Sequence, residues 1–255
     1  MPPPCVICVP LYIYPLKEAW EPLFRASRQH PRVQFLAIIN PNSGPGQDAL
    51  PDANYRAVLK TLSTIPNIRP VGYVHCSYGQ RVVEDIYREI DTYREWNPES
   101  RLEGIFIDEA PSDPALIPYM ASLANHVHSS WLSTFDQHGL VVYNPGVVID
   151  AAFFDAADYV VTFEQAWDHW NLLQSTDQAS LQVARHLCPK ALAIVHTFSN
   201  HGDDHLKQFI DSVRGMGFAG LYITEQNGGG FTWWPKTWDR FVAALDASSG
   251  TVDDE

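Results

Sequence analysis

The sequence predicts a single (β/α)8 barrel, and three observations carry that expectation. Eight short apolar runs recur along 255 residues. Amphipathic, helix-like segments separate most of them. Nearly every run ends, on its C-terminal side, in a polar or ionisable residue. Alternating strands and helices build a parallel sheet, and eight such units in about 250 residues close it into a barrel.

The runs are CVICVPLYIY (5–14), VQFLAIIN (33–40), VGYVHCS (71–77), GIFIDE (104–109), LVVYN (140–144), YVVTFE (159–164), ALAIVHT (191–197) and GLYITE (220–225). They are almost continuously apolar rather than alternating, as strands covered on both faces require. Between them, residues 52–65 open on an Asp cap and space Tyr55, Val58, Leu59 and Leu62 at three, four and seven positions. Residues 80–96 repeat that spacing with Val83, Ile86, Ile90 and Tyr93. Helices are also expected over 114–131, 178–188, 205–216 and 237–247. The connection from the fifth run to the sixth has room for little helix. No linker or low-complexity stretch divides the chain, so residues 1–247 read as one barrel domain and 248–255 as a frayed, flexible tail.

Composition narrows the function. With 45% hydrophobic and only 18% charged residues, the chain can bury a large core. A formal net charge of −13 argues against nucleic acid and anionic membranes as partners and suits neutral or cationic ligands. No apolar stretch is long enough to span a bilayer. Cys5, Cys8, Cys76 and Cys188 lack zinc-type spacing and read as buried free thiols, with a disulfide as the alternative. The start, MPPPCVICVP, lacks the charged and apolar regions of a signal peptide, so the chain is not visibly addressed for secretion. A monomer is the expected state.

In a barrel of this kind catalytic groups sit at the C-terminal ends of the strands. Those ends here carry Tyr14, Asn40, His75 with Ser77, Asp108 with Glu109, Asn144, Glu164, His196 and Glu225. Taken singly, Asn40 and Asn144 precede proline and serve equally as turn residues. His75 and His196 are also compatible with hydrogen-bonded core positions. The bias toward one end is the signal. Strand parity adds to it: Gly104, Phe106 and Asp108 share one face, and Val160, Thr162 and Glu164 share another. If the small and polar members mark the interior, Asp108 and Glu164 point to the barrel axis and Glu109 turns to the rim. Lys and Arg are absent from these ends, so ion pairing does not explain the acids.

Several carboxylates, two amides, two imidazoles and many aromatics around one mouth fit glycosidic-bond cleavage, which uses two carboxyl groups. Flat faces for sugar rings are available from Tyr14, Tyr78, Tyr143, Trp167, Trp170 and the loop GGGFTWWPKTW (228–238), above all from Trp233 and Trp234. Core packing is the competing reading for each single tryptophan. His75 and His196 are isolated, which does not suit a metal centre, and no glycine-rich phosphate loop or Gly-x-Ser-x-Gly elbow is present. Neither metal nor cofactor is expected.

VPLYIYP, INPNSGPG, PDANY, GYVHCSYG and GIFIDEAP, in that order, resemble the spherulin-4 family of glycoside hydrolases. The resemblance is strongest from 9 to 111 and looser beyond 165. It implies a (β/α)8 fold and an endo-α-1,4-N-acetylgalactosaminidase-like activity on galactosaminogalactan, with the family's acidic pair on Asp108 and Glu109 and its later glutamate on Glu164. It also implies secretion, from which the chain's start departs. The expected roles are Asp108 as nucleophile and Glu164 as general acid/base, with Glu109 orienting the pair and Glu225 as reserve acid. A polysaccharide is the expected partner, bound by Tyr14, Asn40, His75, Ser77, Asn144, Trp167, His196, Glu225, Trp233 and Trp234. Two acids one strand apart are expected to close to about 5–6 Å, the spacing of a retaining enzyme. The competing classes are a non-catalytic carbohydrate-binding barrel and a barrel hydrolase of a non-sugar ester or amide.

Overall fold

Eight parallel strands pair in sequence order and close on themselves, β1 against β8. The structure, a computed structural model, describes residues 5–96, 102–175, 182–199, 202–228 and 230–248. The strands are β1 (Val6–Leu11), β2 (Gln34–Ile39), β3 (Ile68–His75), β4 (Gly104–Asp108), β5 (Leu140–Tyr143), β6 (Tyr159–Ala166), β7 (Ala191–His196) and β8 (Gly220–Ile223). All eight expected runs are therefore strands. The first is shorter than its apolar run, because the chain leaves the sheet after Leu11 and carries Tyr12 and Tyr14 into the mouth loops.

The strands are buried nearly end to end, which accounts for their apolar composition. Gly104 and Gly220 occupy points of close backbone approach: a Cβ there would lie 1.9 Å from the Leu140 carbonyl oxygen and 2.0 Å from that of Val6. Helices α1 (Glu21–Gln29), α2 (Ala53–Leu62), α3 (Val83–Glu95), α4 (Ile117–Phe135), α5 (Trp167–Ser175), α6 (Asp203–Gly215) and α7 (Trp238–Ser248) form the outer layer. α2 begins as its sequence predicts, with the Asp52 carboxylate accepting from the amides of Asn54 and Tyr55. Between β5 and β6 there is only a short 3-10 turn, Ala151–Asp155.

Two helices depart from expectation. The helix expected over 178–188 is absent from the described part of that span: residues 182–187 are coil and turn, and a 3-10 turn follows at Cys188–Lys190. Residues 178–181 lie outside the described residues. The helix of this unit is α5 instead, where Trp167, Trp170 and Leu173 form a buried stripe at three-residue spacing. α1 was not expected either. Its Leu23, Phe24 and Ala26 are buried, and it packs beside α7, where Trp238 Nε1 donates to the Pro22 carbonyl and Arg25 pairs with Asp239. α7 runs to Ser248, one residue into the span expected as tail; residues 249–255 lie outside the described residues.

The four cysteines are free and buried. Among the described residues no helix is long and apolar enough to cross a membrane, and no group of three or more His, Cys, Asp or Glu is placed to hold a metal ion.

Candidate active site

The carboxyl end of the barrel holds a cavity of about 280 Å³. Its floor and walls come from Pro10, Tyr12, Tyr73, Phe106, Ile194 and Phe231. Its polar groups are Asn40, Ser43, Asp108, Asn144 and Glu164. Asp108 ends β4 and Glu164 lies near the end of β6, both on the inward face that strand parity assigns them.

Asn144, directly after β5, stands between them. Its Nδ2 donates to Asp108 Oδ1 at 2.8 Å and to Glu164 Oε2 at 2.6 Å. The two carboxylate oxygens are thus less than two hydrogen-bond lengths apart. With the nitrogen end of the amide turned to the two carboxyl groups, its Oδ1 is left buried without a partner. Backbone bonds fix Asn144 further: its N–H donates to the Ile107 carbonyl and its carbonyl accepts from Ala110.

The acids differ in surroundings. Asp108 accepts a second bond, 2.7 Å from the Tyr73 hydroxyl. Burial pushes its carboxyl above the usual range, while the bonds from Tyr73 and Asn144 and its own backbone environment pull the other way. Glu164 has only the Asn144 donor against its burial and against the nearby charge of Asp108, and its pKa is pushed up to about 7. Burial raises both acids, but the donors on Asp108 offset part of its shift, whereas Glu164 keeps a proton near neutrality. Burial and the Asp108 charge also raise the Tyr12 and Tyr73 phenols, so both remain neutral donors.

Glu109 does not line the cavity. Its backbone is left-handed, φ 52°, and its Oε2 lies 3.3 Å from His75 Nδ1, which also lies 3.2 Å from Ser77 Oγ. The strain is not isolated. Of the eight described non-glycine residues with positive φ, seven (Glu18, Ser43, Ser77, Tyr78, Glu109, Thr197 and Phe231) lie in loops at the carboxyl end of the strands. Strained backbone that collects at one end of a fold marks a functional end.

Other expected positions fare differently. Asn40 lines the cavity, and its Oδ1 accepts from the Gly44 amide. His196 ends β7 beside Gly228 and bonds Thr197 Oγ1, and burial lowers its pKa. Tyr14 is exposed but does not line the cavity. Its hydroxyl donates to Asp52 and accepts from Asn54 while its ring packs edge-on against Tyr55. Trp167 is no mouth residue: it is buried in α5, edge-on to Phe198 and Phe209. Trp170 and Tyr143 are likewise core side chains, Tyr143 donating to the Met120 carbonyl. Glu225 does not reach the cavity either. Its carboxylate accepts from the amides of Lys236 and Thr237, bracing the loop that leads into α7. The tryptophan pair divides: Trp233 is exposed, whereas Trp234 packs on Trp238 and donates Nε1 to the Ala19 carbonyl.

The aromatic wall that sequence reasoning missed is Tyr12, Tyr73, Phe106 and Phe231, linked ring to ring, with Tyr12 edge-on to both Tyr73 and Phe231 and Tyr73 stacked on Phe106. Parity contained the signal for Tyr73 and Phe106, which share faces with His75 and Asp108. Phe231 had none, since it reaches the cavity from a loop. Buried Gln226 sets that loop, accepting from the Thr232 amide and donating to the Trp233 carbonyl.

The sequence model of a family described as Spherulin4, spherulation-specific family 4, matches residues 6–245. The chain belongs to the Spherulin4 family. It is 38% identical over 165 residues to Spherulin-4 of Physarum polycephalum, a match that covers 64% of this chain and 46% of that protein, so it spans about half of its relative's length. The crystal structure of Aspergillus clavatus Sph3 in complex with GalNAc superposes with a TM-score of 0.84 at 30% identity, covering 96% of this chain and 98% of that one. A YKL-39 structure determined with chitooligosaccharides superposes at 0.59 with 6% identity, covering 97% of this chain and 100% of that one, which is a likeness of fold alone. This Spherulin4 chain is a (β/α)8 barrel with two acids bridged by one amide at its mouth.

Proposed function

We propose that this Spherulin4 chain is a retaining glycoside hydrolase that cuts inside an α-1,4-linked polymer containing N-acetylgalactosamine. The observation that carries the reading is the single Asn144 nitrogen shared by Asp108 and Glu164. Carboxyl groups held that close match the separation of about 5–5.5 Å found in retaining enzymes and leave no space for a water between them. The likeness to Sph3 bound to GalNAc supports the choice of sugar.

In this reading Glu164 is the acid. Its carboxyl, with a pKa near 7, gives its proton to the glycosidic oxygen as that bond breaks. Asp108, kept toward its anion by Tyr73 and Asn144, attacks the anomeric carbon and forms a glycosyl ester. Glu164, now a carboxylate, takes a proton from the water that hydrolyses the ester, and the starting state returns. Glu109, paired with His75, orients the β4 end and offers a carboxylate to sugar hydroxyls. The cavity of about 280 Å³ suits one sugar ring, and the Tyr12, Tyr73 and Phe231 rings supply apolar faces for it. Three acids at one mouth also favour a neutral or partly deacetylated, cationic polymer.

Reducing-end release from a panel of polysaccharides tests the reading, with galactosaminogalactan expected to respond. A barrel that only binds carbohydrate releases no reducing ends, and an ester or amide hydrolase releases acid instead.

A further inference from the structure

Tyr78 is an exposed aromatic side chain in an unfavourable backbone. The residue is 60% exposed, and its φ of 55° and ψ of 34° are left-handed. Ser77 before it has φ 46° and Gly79 after it φ 84°. A β-carbon in the left-handed region costs energy that glycine avoids. An exposed ring recovers little of that through packing, and folding alone favours glycine at this position.

The turn is nevertheless tied to the acids. The Tyr78 amide donates to the Glu109 carbonyl at 2.7 Å, and the Cys76 amide to the Asp108 carbonyl at 3.0 Å. Arg81, ion-paired with Glu89, donates to the His75 carbonyl. The ring is thereby registered to the end of β4. Three strands from β3 by the shorter way round the barrel, the loop after β8 sends Phe231 into the cavity and leaves Trp233 42% exposed. Two exposed rings thus stand on the carboxyl-end loops after β3 and β8, the end of the barrel that carries the carboxylates.

We infer that Tyr78 is a sugar-stacking subsite on the β3–β4 rim, so that a glycan lies across the mouth from Tyr78 to Trp233 with its cleaved bond between them. The occupant is an uncharged or cationic pyranose unit of the same polymer, its C–H face laid on the ring. The inference rests on the carbohydrate reading above and adds a subsite outside the cavity.

The test compares Tyr78→Phe, Tyr78→Gly and Tyr78→Ala. Each is assayed for hydrolysis of galactosaminogalactan and, in an Asp108→Asn background, for calorimetric binding of α-1,4-linked N-acetylgalactosamine oligosaccharides of increasing length. Tyr78→Phe keeps the ring and should match the parent. Tyr78→Gly keeps the left-handed backbone without the ring and should weaken long-chain binding and raise polymer KM about tenfold. Binding of a single N-acetylgalactosamine should be unchanged. If Tyr78→Gly equals the parent while Tyr78→Ala fails, only the backbone matters and the subsite is wrong, although the hydrolase reading stands. If the parent neither cuts nor binds these glycans, the functional reading itself falls and this subsite with it.

Discussion

Asp108 and Glu164 are joined through one hydrogen-bond donor, the Nδ2 of Asn144, at 2.8 and 2.6 Å. Two buried carboxyl groups that share a donor do not ionise independently, so their titration belongs to the pair. The asymmetry comes from Tyr73, which bonds Asp108 alone.

Removing either acid should abolish turnover without unfolding the barrel. Asp108→Asn and Glu164→Gln are each expected to lower kcat by ~10³-fold or more, because an amide neither attacks nor delivers a proton. Circular dichroism should stay native. Turnover within tenfold of the parent in Asp108→Asn would remove it as nucleophile.

The pH profile should be bell-shaped. Its limbs belong to the coupled pair, the alkaline one dominated by loss of the Glu164 proton near pH 7 and the acid one by protonation of Asp108. Tyr73→Phe deletes a donor to the Asp108 anion, so the acid limb should move to higher pH and the bell should narrow. A bond to a charged group contributes about 1.5–3 kcal/mol, so kcat/KM should fall by about tenfold or more. An acid limb that stays in place would detach Tyr73 from the ionisation of Asp108.

Stability should carry the same signature. Glu164 binds its proton more tightly folded, near 7, than at its ordinary value of 4.5. Between those values the folded state holds more protons, so the stability due to this group falls as pH rises and returns as pH drops toward 4.5. Glu164→Gln removes the buried charge. It should melt higher than the parent above pH 7, by about 1–3 kcal/mol of stability, and converge with it below about pH 5. A pH-independent difference in thermal melts would mean that the carboxyl is not held protonated.

The first-formed product should keep its anomeric configuration. Proton NMR of early turnover on an α-linked substrate is expected to show the α anomer before mutarotation. A β anomer would require a wider working separation of the acids than their shared donor allows.

The two tryptophans of the last loop should separate in phenotype. Trp234→Ala loses packing on Trp238 and the bond to Ala19, so it should cost about 2–3 kcal/mol of stability. Trp233→Ala should melt like the parent and raise KM on polymer while leaving short substrates nearly unaffected. Equal melting losses in both would make Trp233 structural too.

What could be read from the chain alone was what periodicity and parity encode. Eight apolar runs gave eight strands in order, because a strand covered on both faces must be apolar throughout. The period-two alternation also aimed Asp108 and Glu164 inward, since successive side chains of a strand take opposite faces. Helical spacing located α2 and α3 through their buried stripes. The same spacing is present in Trp167, Trp170 and Leu173, whose side chains serve the core under α5 rather than a sugar platform. The tertiary structure alone decided which neighbours the loops bring together. Nothing local couples Asn144 to two acids on other strands, turns Glu225 onto the amides of residues 236 and 237, or drops Phe231 into the cavity. Those contacts depend on how the barrel closes and on hydrogen bonds between residues distant in sequence, and a side chain's own chemistry does not specify which distant partner it meets.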